Sequence, residues 1–370
     1  MNKIFVKYDD RIVGTLALTK EKTVAFQYSE DWLENGFSVS PFSLPLKSKV
    51  FVPSNRNFNG LFGVFADSLP DSWGNLLLDR IIKKYGLNDN EFTVIDKLSF
   101  IGNNGMGILS YEPVKELNLE QTNLTLDQLN LECKKILSSK ESYNLDEIYR
   151  LGGSSGGARP KVLIEYNGTP WIVKFSNNID YENSGYIEFK YFECAKACGI
   201  NVPQTKLFNS KTTSGYFGIE RFDRFDGKKI HMISVAALLE LDFRVPSLDY
   251  KDLIKLTKIL TNDEDAYEMF RRMCFNVFAH NLDDHTKNFS FIYNQTKRCW
   301  QLSPAYDLTY SNTYFGEHTT SVNGKGKNIT DLDLLKVGML NNLNKNKCLA
   351  IISEIKKCVH EMLDEIICKF

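Results

Sequence analysis

The sequence is short of several things at once. No apolar run approaches the roughly 18 residues of a membrane span. The opening MNKIFVKYDDRIVG alternates like a strand and has neither the apolar centre nor the small-residue cleavage site of a secretory leader, so a cytoplasmic protein with no membrane contact is expected. Charge of one sign is missing as well. Forty-five Lys and Arg face 46 Asp and Glu, a net charge of −1, and no global basic field draws the chain to nucleic acid or acidic lipid. Eight cysteines are scattered without a CxxC pair, which argues against a disulfide framework in a chain of 370 residues. No Cys/His set has zinc spacing. Cys194 and Cys198, one helical turn apart, read as a shared buried face. Internal repeats and low-complexity tracts are absent.

What remains is ordinary globular composition, 43% apolar and 25% charged, at a length that suits two or three domains. Ile4, Val6 and Tyr8 alternate before a charged turn and Ile12-Val13, which predicts a hairpin. Asp67-Ser68-Leu69-Pro70-Asp71-Ser72 announces a helix, with apolar spacing from Trp73 to Ile82 and a basic end at Lys83-Lys84 before Gly86. A glycine-rich turn, 102–107, leads to a strand at 108–111. Residues 114–147 are polar and Leu-spaced, which predicts helical connectors and a boundary. Beyond 150 come a glycine-rich loop, a hairpin through Asn167-Gly168, a helix over 183–198 and a strand over 216–222. Helical patterns then dominate, broken by strands and loops over 280–312. The last segment places Leu349, Ile352, Ile355, Val359, Met362, Leu363 and Ile366 on one helical face.

Four places carry chemistry. The loop Gly152-Gly153-Ser154-Ser155-Gly156-Gly157-Ala158-Arg159-Pro160-Lys161 lets backbone N–H groups approach anionic oxygens. It is not a Walker A loop, because Gly157 is followed by Ala158-Arg159, and on its own it suits a flexible linker as well as a phosphate cradle. Lys174 ends the strand behind it, where a lysine can reach nucleotide phosphates; a solvated strand lysine has the same signature. Glu188, on the next helix, is either its ion-pair partner or a surface charge. The strongest signal is Asn281-Leu282-Asp283-Asp284-His285-Thr286-Lys287-Asn288. Phosphoryl transfer needs a carboxylate to accept a hydroxyl proton and an oxygen donor for Mg²⁺, and Asp283 and Asn288 have the five-residue separation of the kinase base and metal amide. Asp307, after a strand and some twenty residues on, stands where the second metal carboxylate belongs. A hydrolase triad lacks its G-x-S-x-G elbow, and a metallohydrolase lacks further histidines in register with His285. Glu220-Arg221-Phe222 ends a strand where a two-lobed kinase crosses between lobes and its backbone can bond adenine; a surface pair is the alternative.

These residues, in this order, resemble the HipA family of bacterial serine/threonine kinases, the toxin halves of toxin–antitoxin pairs. The resemblance also takes in Phe42-Ser43-Leu44-Pro45-Leu46, Asp67–Ser72, Gly102–Gly107, Asp223-Arg224 and Pro304–Asp307, and spans nearly the whole chain. It implies an α+β, two-lobed protein-kinase-like fold with an added N-terminal α+β subdomain and a mainly helical C-terminal lobe. The expected units are 1–113, a connector 114–147, an N-lobe 148–224 and a C-lobe 225–370. It implies Asp283 as general base, Asn288 and Asp307 as Mg²⁺ ligands and Lys174 on the ATP phosphates. Gly156, Gly157, Ala158, Arg159 and Lys161 would cover those phosphates, Glu220, Arg221 and Phe222 would line adenine, and His285, Lys287 and Tyr306 would surround the nucleotide. Arg159-Pro160 departs from the polar, acidic residues of the best-known member, and Pro160 removes one N–H from the cradle. The resemblance further implies autophosphorylation of Ser154 or Ser155 that ejects the loop, a HipB-like helix-turn-helix antitoxin that makes most DNA contact, and a protein substrate such as an aminoacyl-tRNA synthetase. A catalytically silent co-repressor acting with that antitoxin is the competing expectation; a small-molecule kinase would leave the N-terminal subdomain without a reason.

Overall fold

The computed structural model describes residues 2–87, 92–177, 183–313 and 315–369. Met1 and Phe370, the ends of the expected first and last units, lie outside them. The predicted hairpin forms from β1 (Lys3–Tyr8) and β2 (Arg11–Leu18), and β3 (Val24–Tyr28) and β4 (Leu109–Glu112) complete an antiparallel sheet in the order β3-β2-β1-β4. Ile4, Val6 and Tyr8 are buried, as their alternation requires. Between β3 and β4 run α1 (Glu30–Asn35), α2 (Gly63–Ala66), α3 (Ser72–Lys84) and α4 (Val94–Ile101). The connector holds α5 (Leu126–Leu137) and α6 (Leu145–Gly152), the first closed by a capping box between Thr125 and Gln128.

A second sheet follows, in the order β5-β6-β8-β7, from β5 (Lys161–Tyr166), β6 (Thr169–Lys174), β7 (Thr205–Phe208) and β8 (Tyr216–Glu220). Asn167 and Gly168, at φ 52° and 75°, make the tight β5–β6 turn, since both positions need left-handed backbone. Helix α7 (Ser184–Ala197) lies between β6 and β7 and stops before Gly199 at φ 71°. A two-strand ribbon, β9 (Arg224–Phe225) and β10 (Lys228–Lys229), leads into the last lobe. There a three-strand sheet of β11 (Met232–Ser234), β12 (Ser290–Asn294) and β13 (Cys299–Leu302) accompanies α8 (Val235–Leu238), α9 (Tyr250–Leu260), α10 (Asp263–Phe278), α11 (Asp331–Leu340) and α12 (Lys345–Ile367). Strand ends differ from the sequence expectation by a residue or two, the usual scale of fraying.

Two apolar cores do not follow chain order. In the smaller, Trp73, Leu77 and Ile81 of α3 meet Cys133 and Ile136 of α5, Ile148 of α6, and Val162, Trp171 and Val173 of the second sheet. A helix from the first 113 residues therefore braces the glycine-loop sheet. The larger core joins the N-terminal sheet to α7 and the C-terminal helices. The face expected on α12 needs a correction. Leu349 and Met362 are exposed, and Cys348 and Ile351 are buried in their place, because the contact stripe against α7 and α10 centres on Ile352 and Ile355. Cys194 and Cys198 do share a buried face, with Cys358 of α12 completing a group of sulfurs within 4.8 Å of one another. No helix among the described residues is long and apolar enough to cross a membrane.

Candidate active site

Helix α10 and strand β12 hold the segment 281–288 between them, and three tethers fix its path. Asp284 is buried and accepts hydrogen bonds from Tyr250 Oη (2.8 Å), the Thr320 amide (3.0 Å) and, as its pairing partner, His318 Nδ1 (2.9 Å). The Asp283 amide donates to Ser311 Oγ at 2.9 Å. Asn288 Nδ2 donates to the Asp283 carbonyl at 2.8 Å and closes the loop on itself. Sequence left two adjacent carboxylates; the structure sorts them. Asp284 anchors the loop, and Asp283 opens to the cleft. Desolvation by the cleft walls pushes the Asp283 carboxyl up, with the Asp307 and Asp284 charges adding to the effect and His285 opposing it.

Asp307 adopts φ 58°, a left-handed backbone that few residues other than glycine tolerate. With Asn288 it lines one small cavity between α10 and the segment 305–308. Lys174 Nζ, 2.6 Å from Asp307 Oδ1, is also 2.6 Å from Glu188 Oε1. Burial works to discharge this lysine, but the two carboxylates outweigh it and hold its pKa above the ordinary value. The same lysine, with help from Lys161, holds the Asp307 carboxyl far below the usual carboxylate range. Glu188 is thus the ion-pair partner that sequence left open, and Arg159 lies 3.6 Å from its other oxygen. Lys161 is nearly enclosed, bonds the Gly156 carbonyl and has its pKa lowered to about 8 by burial and by the charge on Lys174.

The glycine-rich loop leaves α6 and packs across α3. Gly74 makes that crossing possible, since a Cβ there would stand 2.8 Å from the Gly153 carbonyl oxygen. Ser155 is buried with its hydroxyl donating to the Gly152 carbonyl at 2.6 Å; Ser154 is half-buried on the wall of a cavity of about 380 Å³ beside Tyr149 and Arg150. Gly157, at φ 83°, donates its N–H to Asp71 Oδ2 at 2.7 Å, and Ala158 stands exposed at the tip. Asp71 also accepts from Lys287 Nζ at 2.6 Å. In sequence Asp71 belongs only to the segment that announces α3 and to the resemblance over Asp67–Ser72, and no spacing rule links it to residues so far along the chain.

The crossing at 220–224 divides its tasks. Phe222 stacks on Tyr306 with ring centroids 5.5 Å apart, and Tyr306 Oη donates to the Lys287 carbonyl at 2.8 Å. The Glu220 and Arg221 amides are engaged by the Gln204 and Pro170 carbonyls, both at 2.9 Å. The Arg221 guanidinium turns away from the cleft and grips Asp223 (2.9 and 2.7 Å), which also receives Arg224 and the Gly107 N–H at 2.7 Å each. Arg221 thereby ties the hinge to the N-terminal glycine turn. His285 packs its ring on Phe243 at 5.2 Å and leaves a buried Nδ1 without a partner, a polar atom facing unfilled need. Asn288 with its nitrogen engaged offers an oxygen, and Asp307 offers a carboxylate. An all-oxygen donor set of this kind suits Mg²⁺.

A family model described as the HipA N-terminal domain matches residues 4–112, and one described as the HipA-like C-terminal domain matches residues 153–363. The chain is 31% identical over 173 residues to the Sinorhizobium fredii protein Y4dM, covering 43% of this chain and 42% of that one. It is 25% identical over 346 residues to the serine/threonine-protein kinase toxin HipA of Shewanella oneidensis, covering 82% and 74% of the two chains. In structure it resembles the HipA of a Shewanella oneidensis complex of HipA, HipB and operator DNA, with a TM-score of 0.71 at 19% identity over 99% of this chain and 91% of that one. That likeness establishes the α+β fold.

Proposed function

Because this chain belongs to the HipA family, we propose that it is a Mg·ATP-dependent serine/threonine-protein kinase and the toxin half of a toxin–antitoxin pair. The observation that carries the reading is the meeting of Asn288 and Asp307 on one cavity wall, with Asp307 fastened to Lys174 and Asp283 opening beside them. Bound Mg·ATP would supply the phosphoryl group and a metal to neutralise the developing charge, with Asn288 and Asp307 as its protein ligands. Asp283 accepts the proton of the substrate hydroxyl. Its raised pKa fits a base that must hold that proton through the transfer. Lys174 stays charged against the phosphates because Glu188 keeps it oriented. Phe222 and Tyr306 offer an apolar wall for a base, while Gly156–Lys161 and the orphaned His285 Nδ1 supply polar contacts around the nucleotide.

In this reading the chain divides at 113, 147 and 224, with the first unit braced against the second sheet through α3. Ser154, free of the internal hydrogen bond that occupies Ser155, is the serine for autophosphorylation, which adds nearly two negative charges beside the phosphate site and switches the kinase off. A HipB-like antitoxin is the partner and the route to DNA, and the substrate is a protein hydroxyl, with aminoacyl-tRNA synthetases as the first class to try. Incubation with labelled ATP and Mg²⁺ tests the core of this. The wild-type chain is expected to label a peptide containing Ser154, and Asp283→Ala to label it on the order of 10²–10⁴-fold more slowly. Equal labelling by the two would overturn the base assignment.

A further inference from the structure

Asp71 occupies the N-cap of α3, where an aspartate ordinarily accepts the N–H of the second or third helical residue, yet its carboxylate makes no such bond. It reaches instead across two other segments. One oxygen accepts the Gly157 N–H at 2.7 Å and the other the Lys287 ammonium at 2.6 Å. Both side chains of the ion pair are largely enclosed, at 17% and 20% exposure, so solvent screens the contact only partly. The placement is built in. Trp73, Leu77 and Ile81 fix α3 in the core under the second sheet, and Gly74 brings the loop carbonyls onto the first turn of the helix. The two donors that Asp71 holds, a glycine-loop amide and a lysine of the catalytic segment, are donors of the kind that bind phosphate oxygens.

Resting on the kinase reading, we propose that the Asp71 carboxylate is a resident anion in the phosphate site, with which the phosphates of an incoming nucleoside triphosphate compete for Gly157 and Lys287. Without nucleotide it latches the glycine-rich loop to the catalytic segment, and so couples the first unit to the state of the site. Once displaced, the carboxylate has the amide of Gly74, the third residue of its own helix, within reach as a cap, while the Trp73 N–H stays on the Gly157 carbonyl at 3.4 Å, so its release leaves no stranded charge. The N-terminal unit contributes to nucleotide affinity through this residue although it lies outside the kinase core.

The test compares wild type with Asp71→Asn, which is isosteric, and Asp71→Ser, which retains a capping hydroxyl and guards against loss of the fold. Titration with Mg²⁺ and a non-hydrolysable ATP analogue is expected to show roughly tenfold tighter binding by both variants, the scale of one charge-assisted contact. Hydrogen exchange without nucleotide is expected to be faster around Gly157 in both. Affinity that is unchanged or weaker in the two variants overturns the competition. Unchanged exchange around Gly157 overturns the latch. No binding by any of the three chains contradicts the kinase reading itself and takes the competitor role with it, while faster exchange in the same samples would show that the latch stands apart from that failure.

Discussion

Lys174 is held at 2.6 Å by carboxylates from two different elements, one on α7 and one in the segment after β13. Each carboxylate is affordable in a half-enclosed cleft only because the lysine is there, and the lysine keeps its charge only because of them. Lys174→Met therefore leaves the almost fully buried Glu188 with the longer 3.6 Å contact to Arg159 in place of its ammonium, and the loss is expected to cost about 3 kcal/mol in chemical denaturation as well as phosphotransfer activity. Lys174→Arg keeps the charge but cannot place a compact ammonium between two carboxylates. It should recover stability more than activity. The two residues that sequence left as a pair, Asp283 and Asp284, should separate in the same assays. Asp283→Ala should change rate with little change in stability. Asp284→Ala removes the acceptor for Tyr250, His318 and the Thr320 amide, and should unfold the chain at lower denaturant.

Among elements, the N-terminal sheet is sewn to the kinase lobes by buried charges rather than by apolar contact alone. Asp223 receives two guanidinium groups and the Gly107 amide; burial opposes its charge, and Arg221 and Arg224 more than compensate, so its carboxyl is held below the usual range. Asp223→Ala leaves both arginines unpaired and is expected to lower stability by about 3–5 kcal/mol in a denaturant melt. At the second junction Glu240 accepts the Gly63 N–H through both oxygens at 3.1 Å, and burial raises its pKa from 4.5 to about 7. A carboxyl raised on folding binds its proton more tightly in the native state. It therefore contributes stability that is full below pH 4.5 and is lost as pH rises toward 7. Thermal melts of Glu240→Gln should lack that decline between about pH 4.5 and 7, and the variant should melt above wild type at pH 8. His231 has the opposite sign. Burial lowers its pKa from 6.5 to about 4, so its neutral ring favours the fold above pH 6.5 and withdraws that support as pH falls toward 4.

At the scale of the molecule, the sequence disclosed what is local and concealed what is long-range. Turn chemistry at Asn167-Gly168, the alternation of β1 and the five-residue step from Asp283 to Asn288 could all be read, because each depends on neighbours in the chain. The bracing of the second sheet by α3 could not, since an amphipathic pattern says that a face is buried without saying against what. Asp71 shows the limit most clearly. Its chain context spells a helix cap, while its partners lie 86 and 216 residues away. At Arg221 the chain pointed toward backbone contact with adenine; its guanidinium in addition serves the joint with the first unit, where Asp223 gives it a buried bidentate partner. The proposed nucleotide site, the crossing at 220–224 and the N-terminal sheet are joined in one connected structure, and the proposed metal site lies at its centre. The most direct measurement is a crystal structure of the chain with Mg²⁺ and a non-hydrolysable ATP analogue. The expected result is one ion at about 2.0–2.1 Å from the Asn288 amide oxygen and the Asp307 carboxylate, bridging the phosphates, with Asp283 open to a substrate hydroxyl. A nucleotide bound elsewhere, or a metal that ignores both residues, would contradict it.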